Sequence, residues 1–74
     1  MIEFDGSKLK ELRKARNLTQ SVLAEKVGRE TNHISNYENG VATPPSDVLL
    51  SLMQFFGVRA EDLSRPKRRT GESV

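Results

Sequence analysis

A chain of 74 residues, 35% apolar and 30% charged, makes one small folded domain near the lower size limit for a core without cross-links. It has no cysteine, no long apolar run and no basic-then-apolar leader pattern, so a disulfide framework, a thiolate metal site, secretion and a membrane span are not expected, and the location expected is cytoplasmic. The net charge of +2 is uneven: residues 1–63 hold eight Lys or Arg against nine Asp or Glu, and residues 64–74 hold four against one.

Every periodic segment reads as helix, and none sustains strand-like alternation. Asp5 can cap a first helix, with Phe4 and Leu9 spaced as a hydrophobic staple; Leu9 and Leu12 mark its inward stripe, which ends near Asn17. Thr19 caps a second helix that buries Leu23, Ala24 and Val27 and stops at Gly28. A third spans the stretch TNHISNYENG, residues 31–40. Pro44-Pro45 break the chain and open a fourth, about Ser46 to Phe56, with Leu49, Leu52, Met53 and Phe56 on one face and Val48 and Phe55 beside it. Gly57 ends that helix, and a short fifth follows at Ala60 to Leu63. The expected fold is all-α, a compact domain of five helices over residues 1–64. Residues 65–74 form a basic tail too poor in apolar residues to pack.

The third helix is built from poor helix formers: Thr, Asn, His and Ser. On a helical wheel Ile34 and Tyr37 point inward, Asn32, Ser35 and Asn36 point outward, and Thr31 and His33 lie on the flanks. An ordinary solvated face would use Lys, Glu, Gln and Ala. Short amides and hydroxyls suit a helix that enters a DNA groove, where Asn bonds adenine N6 and N7 together and Ser or Thr reaches base edge or phosphate. Ser35 and the Tyr37 hydroxyl are candidates for phosphate. Packing of Ile34 and Tyr37 compensates for the poor propensity.

The second helix, the turn at Gly28 and the third helix form a helix-turn-helix. The blocks ELRKARNLTQ, LAEKVG, ISNYENG and PPSDVLLSLMQFFGV, in that order between Leu9 and Leu63, resemble the Cro and lambda-repressor type of regulators, the XRE family. Ala24, Gly28, Ile34 and Tyr37 match that family's small, turn and apolar positions. The resemblance implies base contacts from Thr31, Asn32, His33 and Asn36. It implies backbone contacts from Gln20 and Ser21 at the start of the second helix and from the loop Asn39 to Thr43. It also implies a structural pair of Arg13 with Glu38. Many such regulators pair two-fold through their C-terminal helices, and the apolar surplus at Val48, Phe55, Val58 and Leu63 gives a homodimer interface for a near-palindromic duplex operator.

This chain departs from the family at Val22, which replaces an acidic residue, at Arg29, and at Glu30, which takes the usual Ser or Thr cap site. Val41 and Ala42 stand where basic residues often meet phosphate. His33 is the only histidine, the five glycines are scattered and no nucleophile constellation occurs, so no metal, cofactor or enzymatic activity is expected. The expected function is that of a sequence-specific DNA-binding regulator, a repressor. The alternative is a protein-interaction module of the same fold, such as a toxin-neutralising antitoxin or a coactivator.

Overall fold

The computed structural model describes residues 2–66. In chain order these form strand β1 (Ile2–Phe4), helices α1 (Gly6–Ala15), α2 (Gln20–Lys26), α3 (Thr31–Glu38) and α4 (Ser46–Phe56), a 3-10 turn at Ala60–Leu63, and strand β2 (Ser64–Pro66). The helix starts follow from their caps. Asp5 Oδ1 accepts from the Ser7 amide at 3.0 Å and the Ser7 hydroxyl at 2.6 Å, and Thr19 Oγ1 accepts from the Val22 amide at 3.1 Å. After α1 the chain turns through Asn17 in the left-handed region, φ 57°. After α2 it turns at Gly28, φ 71°, a conformation that an L side chain rarely adopts. The Arg29 amide then bonds the Ala24 carbonyl at 2.8 Å, which makes the sharp corner of the helix-turn-helix.

Two sequence expectations need correction. Among the described residues there are four α-helices, and the fifth predicted one is a single 3-10 turn of four residues. So short a segment cannot offset the cost of helix nucleation; the turn is held instead by Asp62, whose Oδ2 accepts from the Arg59 amide at 2.9 Å. The described fold is also not purely helical. β1 and β2 pair antiparallel, with Ile2 opposite Pro66, Glu3 opposite Arg65 and Phe4 opposite Ser64. Three-residue strands are too short to show alternation, and a cross-strand Glu3–Arg65 ion pair at 2.7 Å ties them together. Arg65 and Pro66 therefore belong to the sheet rather than to the tail; the remaining tail residues, including Lys67, Arg68 and Arg69, lie outside the described residues.

The core gathers Leu9, Leu23, Ala24, Ile34, Tyr37, Val48, Leu52, Phe56 and Leu63. On α4 the innermost stripe is Val48, Leu52 and Phe56, spaced i, i+4 and i+8, with Leu49 and Met53 half-buried beside it. This corrects the dimer assignment at two positions. Val48 and Leu63 are 1% and 0% exposed, consumed by the protomer's own core and unable to serve a partner. The 3-10 turn and the strand pair fold Leu63 inward: the Asp5 amide bonds the Leu63 carbonyl at 2.7 Å, and Lys8 Nζ reaches the Ser64 carbonyl at 2.6 Å.

Candidate nucleic-acid interface

α3 is set in place from below by one buried polar cluster. Arg13 of α1 donates from Nε to Glu38 Oε2 at 2.6 Å and from Nη2 to Oε1 at 3.1 Å. Its Nη1 donates to the Leu18 carbonyl at 2.7 Å, and Gln20 Nε2 of α2 donates to Glu38 Oε1 at 3.0 Å. The Glu38 side chain is fully buried and Arg13 nearly so. A forked guanidinium–carboxylate pair whose third nitrogen is also bonded fixes direction as well as position. Helices α1, α2 and α3 therefore meet at one carboxylate. Sequence reasoning named Arg13 and Glu38 but missed Gln20, whose amide was assigned only to DNA backbone and is here partly engaged by Glu38.

The opposite side of α3 is open. Thr31, Asn32 and His33 are exposed, Ser35 and Asn36 half-buried, and Ile34 and Tyr37 buried at 0% and 6%. Among the described residues no hydrogen bond engages the side chains of Thr31, Asn32 or Asn36, so their donors and acceptors are available to a ligand. Glu30 caps α3, and its amide donates to His33 Nδ1 at 3.4 Å. With Nδ1 accepting, a neutral His33 ring carries its proton on Nε2 and presents a donor outward. Ser35 Oγ accepts from Asn39 Nδ2 at 3.3 Å, linking two of the candidate phosphate contacts. Ser21 and Thr43 are exposed.

The loop after α3 is held by its own backbone: the amides of Val41 and Ala42 both donate to the Asn36 carbonyl, at 2.9 and 3.2 Å. Val41 is 72% exposed, an aliphatic side chain where a cation would favour phosphate. Two ion pairs flank the helix. Arg29, in the turn before α3, meets Asp47 on the first turn of α4 at 2.8 Å. Arg65 on β2 meets Glu3 and lines a hollow of about 140 Å³ together with Phe4, Gly40, Ala42 and Thr43. The sheet thus stands beside the loop that follows α3. Neither pair was foreseen, because each joins residues far apart in the chain.

Asp5, at the base of α1, accepts both bonds from Ser7 and faces Arg65 Nη1 at 4.0 Å; the Ser7 hydroxyl first, then the Ser7 amide and the Arg65 charge, hold its carboxyl below the ordinary carboxylate value. On the far side of the fold Arg16 closes the end of α4, donating to the Phe55 and Phe56 carbonyls at 3.1 and 2.8 Å. Its guanidinium carbon lies 5.5 and 5.1 Å from the two ring centroids. Phe55 is consequently half covered by Arg16, and Val58 is also half-buried against the core. Among the described residues no helix is long and apolar enough to cross a membrane, and no group of three acidic, His or Cys side chains could hold a metal ion.

A model of the helix-turn-helix domain matches residues 6–65. The chain belongs to the XRE-type helix-turn-helix family. Its relatives include the uncharacterized HTH-type transcriptional regulator MJ0272 of Methanocaldococcus jannaschii, 39% identical over 57 residues, which are 77% of this chain and 86% of that protein. The HTH-type transcriptional regulator ImmR of Bacillus subtilis is 38% identical over 58 residues, 78% of this chain and 46% of ImmR. This XRE-type chain thus spans about half the length of ImmR. Among solved structures, the P22 c2 repressor protein in complex with a synthetic operator superposes with a TM-score of 0.75 at 26% identity, over 78% of this chain and 88% of that one. Such likeness fits the mostly helical XRE-type architecture described above, with α2 and α3 as its helix-turn-helix.

Proposed function

We propose that this chain is a sequence-specific double-stranded DNA-binding regulator, a repressor that inserts α3 into the major groove. One observation carries the reading. The helix with the worst intrinsic propensity is anchored from beneath by Arg13, Glu38 and Gln20, while its outer Thr31, Asn32 and Asn36 side chains make no hydrogen bond among the described residues. In this reading Asn32 and Asn36 bond adenine edges, Thr31 and His33 Nε2 contact neighbouring bases, and Gln20, Ser21, Ser35, Asn39, Thr43 and the Tyr37 hydroxyl hold phosphates. The operator complex of the P22 c2 repressor, a structural relative, supports the same use of the fold.

Two chains pair two-fold on a near-palindromic operator in the cytoplasm, setting two α3 helices about 34 Å apart. With Val48 and Leu63 in the core, the partner surface falls to Phe55 and Val58, joined by Leu50, which is 52% exposed on α4. The mechanism is occupancy, with no covalent step. The test is selection of duplexes from a random-sequence library, followed by gel shift with excess polyanion competitor. A competitor-resistant complex on a defined sequence is expected. Recovery of no preferred sequence would overturn the reading in favour of a protein-interaction role.

A further inference from the structure

The surface around α3 is poor in cations for a DNA reader. Residues 30–46, which contain the cap, the helix and the loop behind it, include no Lys or Arg, and the cap itself is Glu30. With Arg13 buried on Glu38, the exposed arginines that adjoin this surface are Arg29, next to the cap of α3, and Arg65, which shares the hollow lined by Gly40, Ala42 and Thr43. They sit at opposite ends of the helix. Each is held on a carboxylate from another element: Arg29 Nη2 on Asp47 Oδ2 at 2.8 Å, and Arg65 Nε on Glu3 Oε2 at 2.7 Å.

A carboxylate and a phosphate offer a guanidinium the same kind of acceptor, a pair of oxygens matched to its planar fork. Both pairs lie at the surface: the arginine side chains are 36% and 54% exposed, and Asp47 is 71% exposed. Ion pairs in such settings contribute little in water and exchange readily. We propose that Arg29 and Arg65 are the phosphate clamps of this chain, held in the free protein by Asp47 and Glu3 as stand-ins for DNA phosphate and transferred to the duplex when α3 seats. The inference rests on the DNA-binding reading above and adds which residues grip the backbone and what restrains them.

The consequence is a uniform restraint on backbone affinity. Each clamp must leave a carboxylate to reach a phosphate, so the acidic partners lower affinity for every sequence by the same factor. The ratio of affinities between sequences, set by the base contacts from α3, is unchanged, while binding to arbitrary DNA is weakened in absolute terms. Releasing a carboxylate also recruits a cation to it, which cancels part of the counterion release that normally makes DNA binding salt-sensitive.

The test measures affinity and salt dependence on a duplex selected by the wild-type protein and on a scrambled duplex of the same composition. Asp47→Asn should tighten binding to both about two- to fivefold, the size of one exposed ion pair, and should steepen the salt slope by at most about 0.9. Glu3→Gln should act likewise. In an Arg29→Gln background the Asp47→Asn gain should vanish, and in an Arg65→Gln background the Glu3→Gln gain should vanish. Glu61→Gln, on the 3-10 turn, controls for net charge and should change neither quantity. Equal gains with and without the arginine, or no gain at all, would overturn the clamp exchange while leaving the DNA reading intact. Failure of the wild-type protein to select any duplex would overturn both. Unfolding midpoints of all variants, expected to stay close to wild type, separate these outcomes from loss of fold.

Discussion

Gly6 opens α1 directly against the end of α3: a Cβ at this position would overlap the Tyr37 carbonyl oxygen and stand 2.7 Å from that of Glu38. The atoms in the way are backbone, so no rotamer change relieves the clash. Gly6→Ala should force α1 off α3 and disturb the nearby Arg13–Glu38 pair. The expected loss is about 3 kcal/mol or more, at the upper end for overpacking, read as a lower urea midpoint. A variant within about 0.5 kcal/mol of wild type would contradict the close approach.

Removing the central carboxylate should be comparably severe. Glu38→Ala leaves the buried Arg13 guanidinium and the Gln20 amide without their acceptor, at a cost of about 3–5 kcal/mol. For so small a domain that is much of the total stability. Replacing both charges by apolar residues, Arg13→Met with Glu38→Leu, should cost less than Glu38→Ala alone. Urea unfolding of the three proteins checks the order, and a double variant weaker than the single would contradict it.

Asp5 predicts a pH dependence with a definite sign. Its carboxyl is held below the ordinary value by Ser7 first and by Arg65 among the lesser causes, so the folded protein favours the charged form. The stability it contributes is complete above the ordinary value of about 4 and is lost as pH falls through the lower folded value. Asp5→Ala should therefore cost about 1 kcal/mol at neutral pH, the usual worth of an N-cap, and progressively less below about pH 4. Parallel urea titrations at neutral and acidic pH read the difference. A constant gap across that range would assign the effect to something other than the charge.

The helix-turn-helix was legible because it is written in local signals: Thr19 as cap, Gly28 as turn, and Ile34 and Tyr37 as the inward stripe. Arg13 and Glu38 were legible only through family resemblance, since 25 residues separate them. What escaped was contact between distant or featureless segments. Strands of three residues carry no readable period, so Glu3–Arg65 was invisible and Arg65 was read as tail. Gly6 looked like any glycine near a helix start, because its requirement comes from α3. On α4 seven of the eleven residues are apolar, so periodicity leaves the inward direction ambiguous: it centres the stripe on Leu49, Leu52, Met53 and Phe56 with Val48 beside it, whereas Val48 is 1% exposed in the core. The fifth helix failed through length alone.

Assembly is tested by stoichiometry. Sedimentation equilibrium at tens of micromolar, with and without the selected duplex, should find two chains on each duplex at saturation, with contacted half-sites about one DNA turn apart. One chain per duplex would end the dimer proposal and leave Leu50, Phe55 and Val58 as ordinary surface.

The central claim is that the outward face of α3 reads bases, and Asn36 tests it most directly. Asn36→Ala removes a half-buried side chain that makes no hydrogen bond among the described residues, so the fold should be little affected. Affinity for the selected duplex should fall by about 1–3 kcal/mol, with preference relaxed at a single base pair, while affinity for a scrambled duplex stays unchanged. Equal losses on both duplexes, with the same base preference retained, would show that Asn36 does not read sequence.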